Sequence, residues 1–484
     1  MTSVVGIRCG WRVLIAAAAG GLYACAFPPV DQGGLAGMGF LMLLVALHGQ
    51  SGTKARALGF LFGLLAFGTS LSWLWNLFGS LAILLWCVLA AFPALFADMQ
   101  GRAARAGVAG WKFALFTACN WGAWEFIRAE LFPLKFPWMT IALAFEPMRA
   151  LPWIGVYGAG MVVVLSCAAV FVIWGKNQWS VFRRTVVLVC GVLIAGIFLS
   201  PTPQYHGPSP DIRAAAIQLE NVSINEYLKA TRELPGDVRY VVWPEYSVPY
   251  DLRKHESDRK LLLDLCREKD ITLTFGTRRD DNADGTKWRN VALTMDATGI
   301  RGEHTKVHTV HLFDDGTAGK TALPVDTANG KAGTPVCFDG DYEDVFRRMT
   351  AAGAEFFMVP SMDAESWSAR EHDQHAELYR IRAAENGRFV FIAATSGVSQ
   401  MIDPAGKVIA RLGAMKQGTL LSFVGAAGNT TFYTRTGWLF PWINLSVAIA
   451  CWIYLLLRKK PRDGSALACA GGAAQSPRGD DNRA

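Results

Sequence analysis

Charge is scarce in this chain. Only 18% of its 484 residues are Asp, Glu, Lys or Arg, against 52% hydrophobic, a balance too apolar for a typical soluble protein. The surplus of 47 basic over 40 acidic residues sits mostly in links between apolar runs, so it is not a nucleic-acid footprint and no nucleic-acid partner is expected. Metal-site spacing is missing too. His304, His308 and His311 lie close together, and His372 and His375 fall on a predicted helix, but neither group has a recognised zinc spacing. They are read as solvated or hydrogen-bonding side chains, and no metal or organic cofactor is expected. Disulfide-framework spacing is also lacking: of ten cysteines only Cys266 and Cys337 fall in the charge-bearing region. No cleavable leader is expected either, because the apolar run 11–28 leads into further apolar runs.

What the chain has in quantity is long hydrophobic segments. Runs near the length a bilayer demands lie at 11–28, 34–49, 57–75, 79–98, 108–127, 154–174, 183–200 and 436–457. The 34–49 run is the weakest, being short and carrying four glycines. Lys and Arg mark the cytoplasmic links of such chains. Arg8 and Arg12, Lys54 and Arg56, Arg102 to Lys112, Lys176 to Arg184, and "RKKPR" at 458–462 alternate with links poor in basic residues; of these only 128–152 carries any, namely Arg128, Lys135 and Arg149. Eight spans with both ends inside fit this pattern and leave the 210–425 region outside. Trp73, Trp75, Trp138, Trp153 and Trp438 are read mostly as interface anchors, some able to line a lipid path. The divisions expected are a membrane domain over 1–205, an α/β domain over 210–425, a last span at 436–457 and a disordered tail at 463–484, rich in Gly, Ala and Ser.

The 210–425 region alternates predicted strands and helices, the pattern of an α/β domain with its sheets covered by helices. "IRAAAIQLE", "RYVVWPE", "ITLTFGTR", "AEFFMVPS" and "RFVFIAATS" read as strands. The helix over "SAREHDQHAELYRIRAAENG" stops at the Asn386–Gly387 signal. Cys266, on the apolar side of a predicted helix, reads as core. Three polar residues stand at strand ends: Glu245, Lys306 and Cys337. Each has a chemical task if they converge. A thiol attacks only once ionised, and the spacing places Cys337 just before a helix whose N-terminus favours a thiolate. A carboxylate such as Glu245 can take the thiol proton, and Lys306 can offset the oxyanion formed on an attacked carbonyl.

The contexts of these residues, "VVWPEYSVP", "HTKVHTV" and "VCFDGDYEDVFRRMTAAGAEFFMVPSMDAESW", resemble the nitrilase superfamily, whose members use a Glu-Lys-Cys triad in an αββα sandwich. Together with "WGAWEFIRAELFPLKFPW" and "GVYGAG" in the apolar half, they resemble its membrane-embedded branch, the apolipoprotein N-acyltransferase family. The resemblance covers roughly residues 10–457 and implies a multi-pass helical membrane domain carrying an extracytoplasmic nitrilase-type domain. By that resemblance Glu245 is the general base, Lys306 the oxyanion support and Cys337 the nucleophile. Two departures accompany it. Where the family has a glutamate after the lysine, Asp314 stands nearest, and where Cys-Tyr-Glu is usual the chain has Cys337, Phe338 and Asp339.

The implied activity is transfer of an acyl chain from a phospholipid to a diacylglyceryl apolipoprotein, through a thioacyl-cysteine, by a monomer in the bacterial inner membrane with its catalytic domain on the periplasmic side. A membrane-tethered hydrolase that passes the acyl group to water is the alternative enzyme. A scaffold with a dead site is a third reading, disfavoured by retention of all three triad residues in matching contexts.

Overall fold

A computed structural model describes residues 9–175 and 211–458, with Thr185, Gly191, Gly196, Ser200 and Pro201 as isolated points between them. The span expected at 183–200 and the tail expected at 463–484 therefore lie outside the described residues.

The N-terminal half is helical: α1 (Cys9–Ala24), α2 (Gly34–Leu47), α3 (Thr53–Ser70), the short α4 (Leu74–Phe78), α5 (Leu81–Arg105), α6 (Trp111–Phe126) and α7 (Leu151–Trp174). Helix α6 runs on into a π-type turn over Ile127–Leu131. Among the described residues, α5, α7 and the C-terminal Leu439–Leu457 are long and apolar enough to cross a membrane, while α1 and α2 are apolar but shorter. The 14 residues of α2 reach only about 21 Å, against a hydrocarbon core of about 30 Å. The glycines that weaken this run as a span let it pack tightly. At Gly39 a Cβ would stand 2.6 Å from the Ala19 carbonyl oxygen of α1, so only glycine permits that approach.

The α/β half begins with β1 (Ile212–Gln218), α8 (Ile224–Arg232), β2 (Val238–Val242), β3 (Val248–Asp251), α9 (Glu256–Lys269), β4 (Thr272–Asp280), β5 (Trp288–Asp296) and β6 (Gly299–Thr305). It continues with β7 (Val325–Thr327), β8 (Gly330–Gly333), α10 (Glu343–Ala351), β9 (Phe356–Met362), α11 (Ala369–Asn386), β10 (Phe389–Thr395), β11 (Ser399–Ile402), β12 (Val408–Leu412) and β13 (Gly418–Val424). The short helix α12 (Phe432–Thr436) and the long apolar helix α13 (Leu439–Leu457) end the described chain.

One sheet has the order β13-β1-β2-β4-β5-β6, with β3 also on β4, and the other has the order β12-β11-β10-β9-β8-β7. Side chains of a strand alternate between faces, and this chain is apolar on both. Ala214, Ala216, Tyr240 and Val242 face Phe356, Met358, Phe389 and Phe391 to form the interior between the sheets. Their neighbours Ala215, Ile217, Val241 and Trp243 turn the other way, onto α8 and α9, with Cys266 buried among them. Phe357, Val359, Val390 and Ile392 do the same under α10 and α11. Strands apolar on both faces thus produce four layers, helix–sheet–sheet–helix. The Asn386–Gly387 stop holds: Gly387 takes φ +64° and caps α11.

The halves meet along α11 and the loop 132–150. Gln374 accepts from Trp73 Nε1 at 3.1 Å and donates to the Ser70 carbonyl at 3.1 Å. Glu385 Oε1 accepts from Val156 N at 2.8 Å.

Candidate active site

The end of β2 leads into Trp243-Pro244-Glu245, where the backbone turns over the next strand. Gly276 of β4 lies directly beneath, so close that a Cβ there would stand 2.4 Å from Glu245 Cα. Glu245 N donates to Ser361 O of β9 at 3.2 Å, which ties this turn to the second sheet. Lys306 follows the end of β6 and puts Nζ 2.9 Å from Glu245 Oε1 and 2.8 Å from Asp315 Oδ2. All three side chains are buried.

Asn290 of β5 spans the same cluster. Its Nδ2 donates to Glu245 Oε1 at 2.5 Å and to Asp315 Oδ1 at 2.8 Å, and Tyr246 OH donates to Asp315 Oδ1 at 2.8 Å. Burial opposes the charge on Lys306, yet Glu245, Cys337 and Asp315 together hold its ammonium well above the ordinary lysine value. Burial raises Asp315 too, but Lys306 together with the hydrogen bonds from Val310 N and Asn290 more than offsets this and holds it below the usual aspartate value. Glu245 remains raised, because burial and the Asp315 charge outweigh Lys306.

One expectation is corrected here. The lysine-supporting carboxylate is Asp315, not Asp314. Asp314 points to solvent, while Asp315 is held inward by Lys306, Asn290 and Val310 N at 2.9 Å. In a loop without periodic structure, adjacent aspartates cannot be told apart by spacing.

Cys337 opens a 3-10 turn, Cys337–Gly340, at φ +45°, a strained backbone for a residue with a Cβ. Three contacts hold the turn. Tyr379 OH of α11 donates to Cys337 O at 2.9 Å. Asp339 accepts from Val307 N at 2.9 Å, His308 N at 2.8 Å and Val336 N at 3.1 Å, and pairs with His304 Nε2 at 2.9 Å. Gly340 packs under Tyr379, whose ring atom would lie 2.3 Å from a Cβ there. Asp339 thereby locks the loop after Lys306 to the loop of Cys337.

A second expectation is corrected at this point. The helix that follows begins only at Glu343, beyond the turn, so its N-terminus does not ionise the thiol. Burial and the Glu245 charge push the Cys337 thiol well above its ordinary value, with Lys306 pulling the other way. The resting group is the neutral thiol, and its Sγ lies 3.3 Å from Met362 O.

Sequence reasoning passed over several neighbours. Asn290 is a polar residue at the head of an apolar strand, which was its only signal. His375, treated as an ordinary histidine, sits between Asp363 (Nδ1 to Oδ1, 2.6 Å) and Asp341 (Nε2 to Oδ1, 3.2 Å). Burial disfavours its charge, but the two aspartates raise it well above the usual histidine value. Cys337, Asp363 and His375 bring a thiol, a carboxylate and an imidazole within 4.8 Å of one another, a donor set able to hold a soft divalent ion, although His375 is already engaged by its two carboxylates. Trp138 stacks on the His375 ring and donates from Nε1 to Asp341 Oδ2 at 2.5 Å.

Phe338 and Cys337 line a partly open cavity between the two halves, whose space comes to about 920 Å³ when the part open to solvent is included. Its walls are almost wholly apolar, built by Trp73, Leu77, Leu85, Phe132, Trp138 and Phe313 among others. Trp73 and Trp138 thus line a cavity beside Cys337, whereas Trp75 and Trp153 are exposed. A buried thiol, a buried carboxylate–ammonium pair and an apolar chamber together suit nucleophilic attack on an ester or amide carbonyl that carries a long hydrocarbon chain.

Two family models match the chain. Residues 19–169 match the apolipoprotein N-acyltransferase N-terminal domain, and residues 211–424 match the carbon-nitrogen hydrolase domain. An apolipoprotein N-acyltransferase of Nitrosomonas europaea is 29% identical over 82% of this chain and 88% of its own length. Another, of Pseudomonas aeruginosa, is 26% identical over 94% of this chain and 98% of its own. Among solved structures, Nit3 of Saccharomyces cerevisiae, a member of the nitrilase superfamily, aligns with 20% identity and a TM-score of 0.38, over 47% of this chain and 94% of its own.

Proposed function

The chain belongs to the apolipoprotein N-acyltransferase family, and from that premise we propose that it acylates the α-amino group of a diacylglyceryl-cysteine through a thioester on Cys337. Glu245 Oε2 is buried and has no hydrogen-bond partner among the described residues; it takes the Sγ proton as the sulfur attacks the phospholipid ester carbonyl. The electron pair moves to the carbonyl oxygen, where Lys306 Nζ offsets the charge. Collapse breaks the ester C–O bond, and Glu245 returns the proton to the departing lysophospholipid alkoxide. In the second half the acceptor amine attacks the thioester, Glu245 accepts the amine proton, and the proton returns to Sγ as the amide forms.

The observation that carries this reading is the apolar chamber shared by Cys337 and the helical half. An enzyme acting on small soluble amides has no use for it, and a lipid acyl chain does. Both substrates are anchored in a bilayer, so a catalytic domain tethered at its surface meets them at high effective concentration. The proposed orientation puts that domain on the periplasmic side, as the basic links 54–56, 102–112 and 458–462 support.

The test is to incubate purified protein with phospholipid labelled in its acyl chain and a diacylated lipopeptide. Label on the peptide amine is expected. Label released only as free fatty acid favours the hydrolase.

A further inference from the structure

The cavity beside Cys337 is mostly apolar; besides the imidazoles of His311 and His375 its lining holds one carboxyl, Glu371. This residue is 2% exposed and lines the cavity wall with Cys337 and His375. It begins α11 in the motif Ser368-Ala369-Arg370-Glu371, a capping-box pattern in which the glutamate ordinarily turns back to the backbone N–H of the serine. The same motif at Ser223–Glu226 makes both arms, including Ser223 N to Glu226 Oε2 at 3.0 Å. At α11 only one arm is made: Ser368 Oγ accepts from Glu371 N, and the carboxyl does not return.

Nothing in the described protein takes its place as a partner. Glu371 Oε2 is buried without a hydrogen bond. Its nearest cationic candidate is His372 Nε2 at 3.7 Å, but that nitrogen is directed at Ala364 O at 3.1 Å, which spends its proton elsewhere. Burial, with repulsion from Asp363 and Asp341 and partial relief from His375, holds Glu371 well above the ordinary glutamate value. A carboxyl turned out of its cap, buried beside an apolar chamber and left with an oxygen that makes no hydrogen bond is a costly feature unless a ligand supplies the partner. The surrounding charge selects the ligand. Three carboxyls, Glu371, Asp363 and Asp341, stand against two imidazoles, His375 and His372, so this end of the chamber favours a cation, and the apolar walls require that it be attached to hydrocarbon.

From this geometry we propose that Glu371 is the receptor for the primary ammonium group of a lipid-borne substrate, held in the cavity beside Cys337. The inference rests on the acyltransferase reading, in which two substrates carry such a group: the N-terminus of the diacylglyceryl acceptor and the ethanolamine headgroup of a phospholipid donor. Both bring a primary ammonium next to long acyl chains.

The experiment uses the full-length protein in dodecyl maltoside, with dodecylamine and dodecanol as probes and tryptophan fluorescence of the cavity as the readout. Glu371→Gln preserves size and removes the charge. It is expected to weaken dodecylamine about tenfold while dodecanol stays within twofold. Unchanged dodecylamine binding overturns the proposal, and so does an equal loss of both probes, which marks a neutral hydrogen bond or a packing defect. Two further arms identify the source. Slower acyl-enzyme formation from phosphatidylethanolamine but not from phosphatidylglycerol assigns the headgroup. A raised KM for a diacylated lipopeptide, measured on preformed acyl-enzyme, assigns the acceptor terminus. If the unmodified protein forms no acyl-enzyme, the acyltransferase reading fails, and the dodecylamine comparison still decides the role of Glu371.

Discussion

Two adjacent aspartates give the sharpest test at the scale of single residues. Asp315 supports Lys306 from inside, and Asp314 faces water. Asp315→Asn is expected to cost roughly 1–3 kcal/mol of stability for a lost charged hydrogen bond and to slow acylation, whereas Asp314→Asn should change neither. The pH dependence has a definite sign. Asp315 titrates below its ordinary value in the folded protein because burial, which raises it, is outweighed by Lys306 together with the hydrogen bonds from Val310 N and Asn290. Its stabilisation is therefore complete above the unfolded value near pH 4 and is lost as pH falls through the lower folded value. Thermal melts should show the gap between parent and Asp315→Asn widest near neutrality and closing in acid. Glu245, Lys306 and Cys337 were legible in the sequence because each sits in a distinctive context at a strand end. Asp315 was not, since the loop that carries it has no period from which register can be counted. His375 was illegible for another reason: its partners Asp341 and Asp363 come from separate loops that only the folded second sheet brings together.

Among elements, the strand–turn carrying Glu245, the proposed base, depends on a missing side chain in its neighbour. Gly276→Ala places a Cβ 2.4 Å from Glu245 Cα and 2.7 Å from Tyr246 N. These are backbone atoms that cannot rotate away. The expected result is a destabilisation of about 1–3 kcal/mol with a loss of kcat larger than any rise in KM, measured by melting and steady-state assay. The alternation of strands and helices was readable because strands apolar on both faces announce burial between layers. Helix ends in the apolar half were less so. The expected run 57–75 resolves into α3 and the separate α4, and 108–127 continues through a π-type turn, since uniform hydrophobicity carries no signal for where a helix stops. The thiolate-favouring helix expected at Cys337 failed for a related reason: "CFDG" forms its own turn before α10 can begin.

For the whole molecule, the proposed function depends on two halves that line one chamber. Reporter fusions test the proposed placement: a reporter active only outside the cytoplasm should be active near Pro208 and silent after Arg462. The reverse pattern removes the lipoprotein reading, because the acceptor's modified terminus is outside. The chamber itself was not legible, because Leu85, Phe132 and Trp138 meet Cys337 only after both halves pack. The central claim is that Cys337 carries the acyl chain between donor and acceptor, and intact-protein mass spectrometry measures this in a single turnover. With phospholipid alone the protein should gain the mass of one acyl chain, removable by hydroxylamine and absent from Cys337→Ala. Adding a diacylated lipopeptide should then return the protein to its original mass as triacylated peptide appears. Acylated peptide formed at the parent rate by Cys337→Ala, or a parent protein that never gains the mass, contradicts the account.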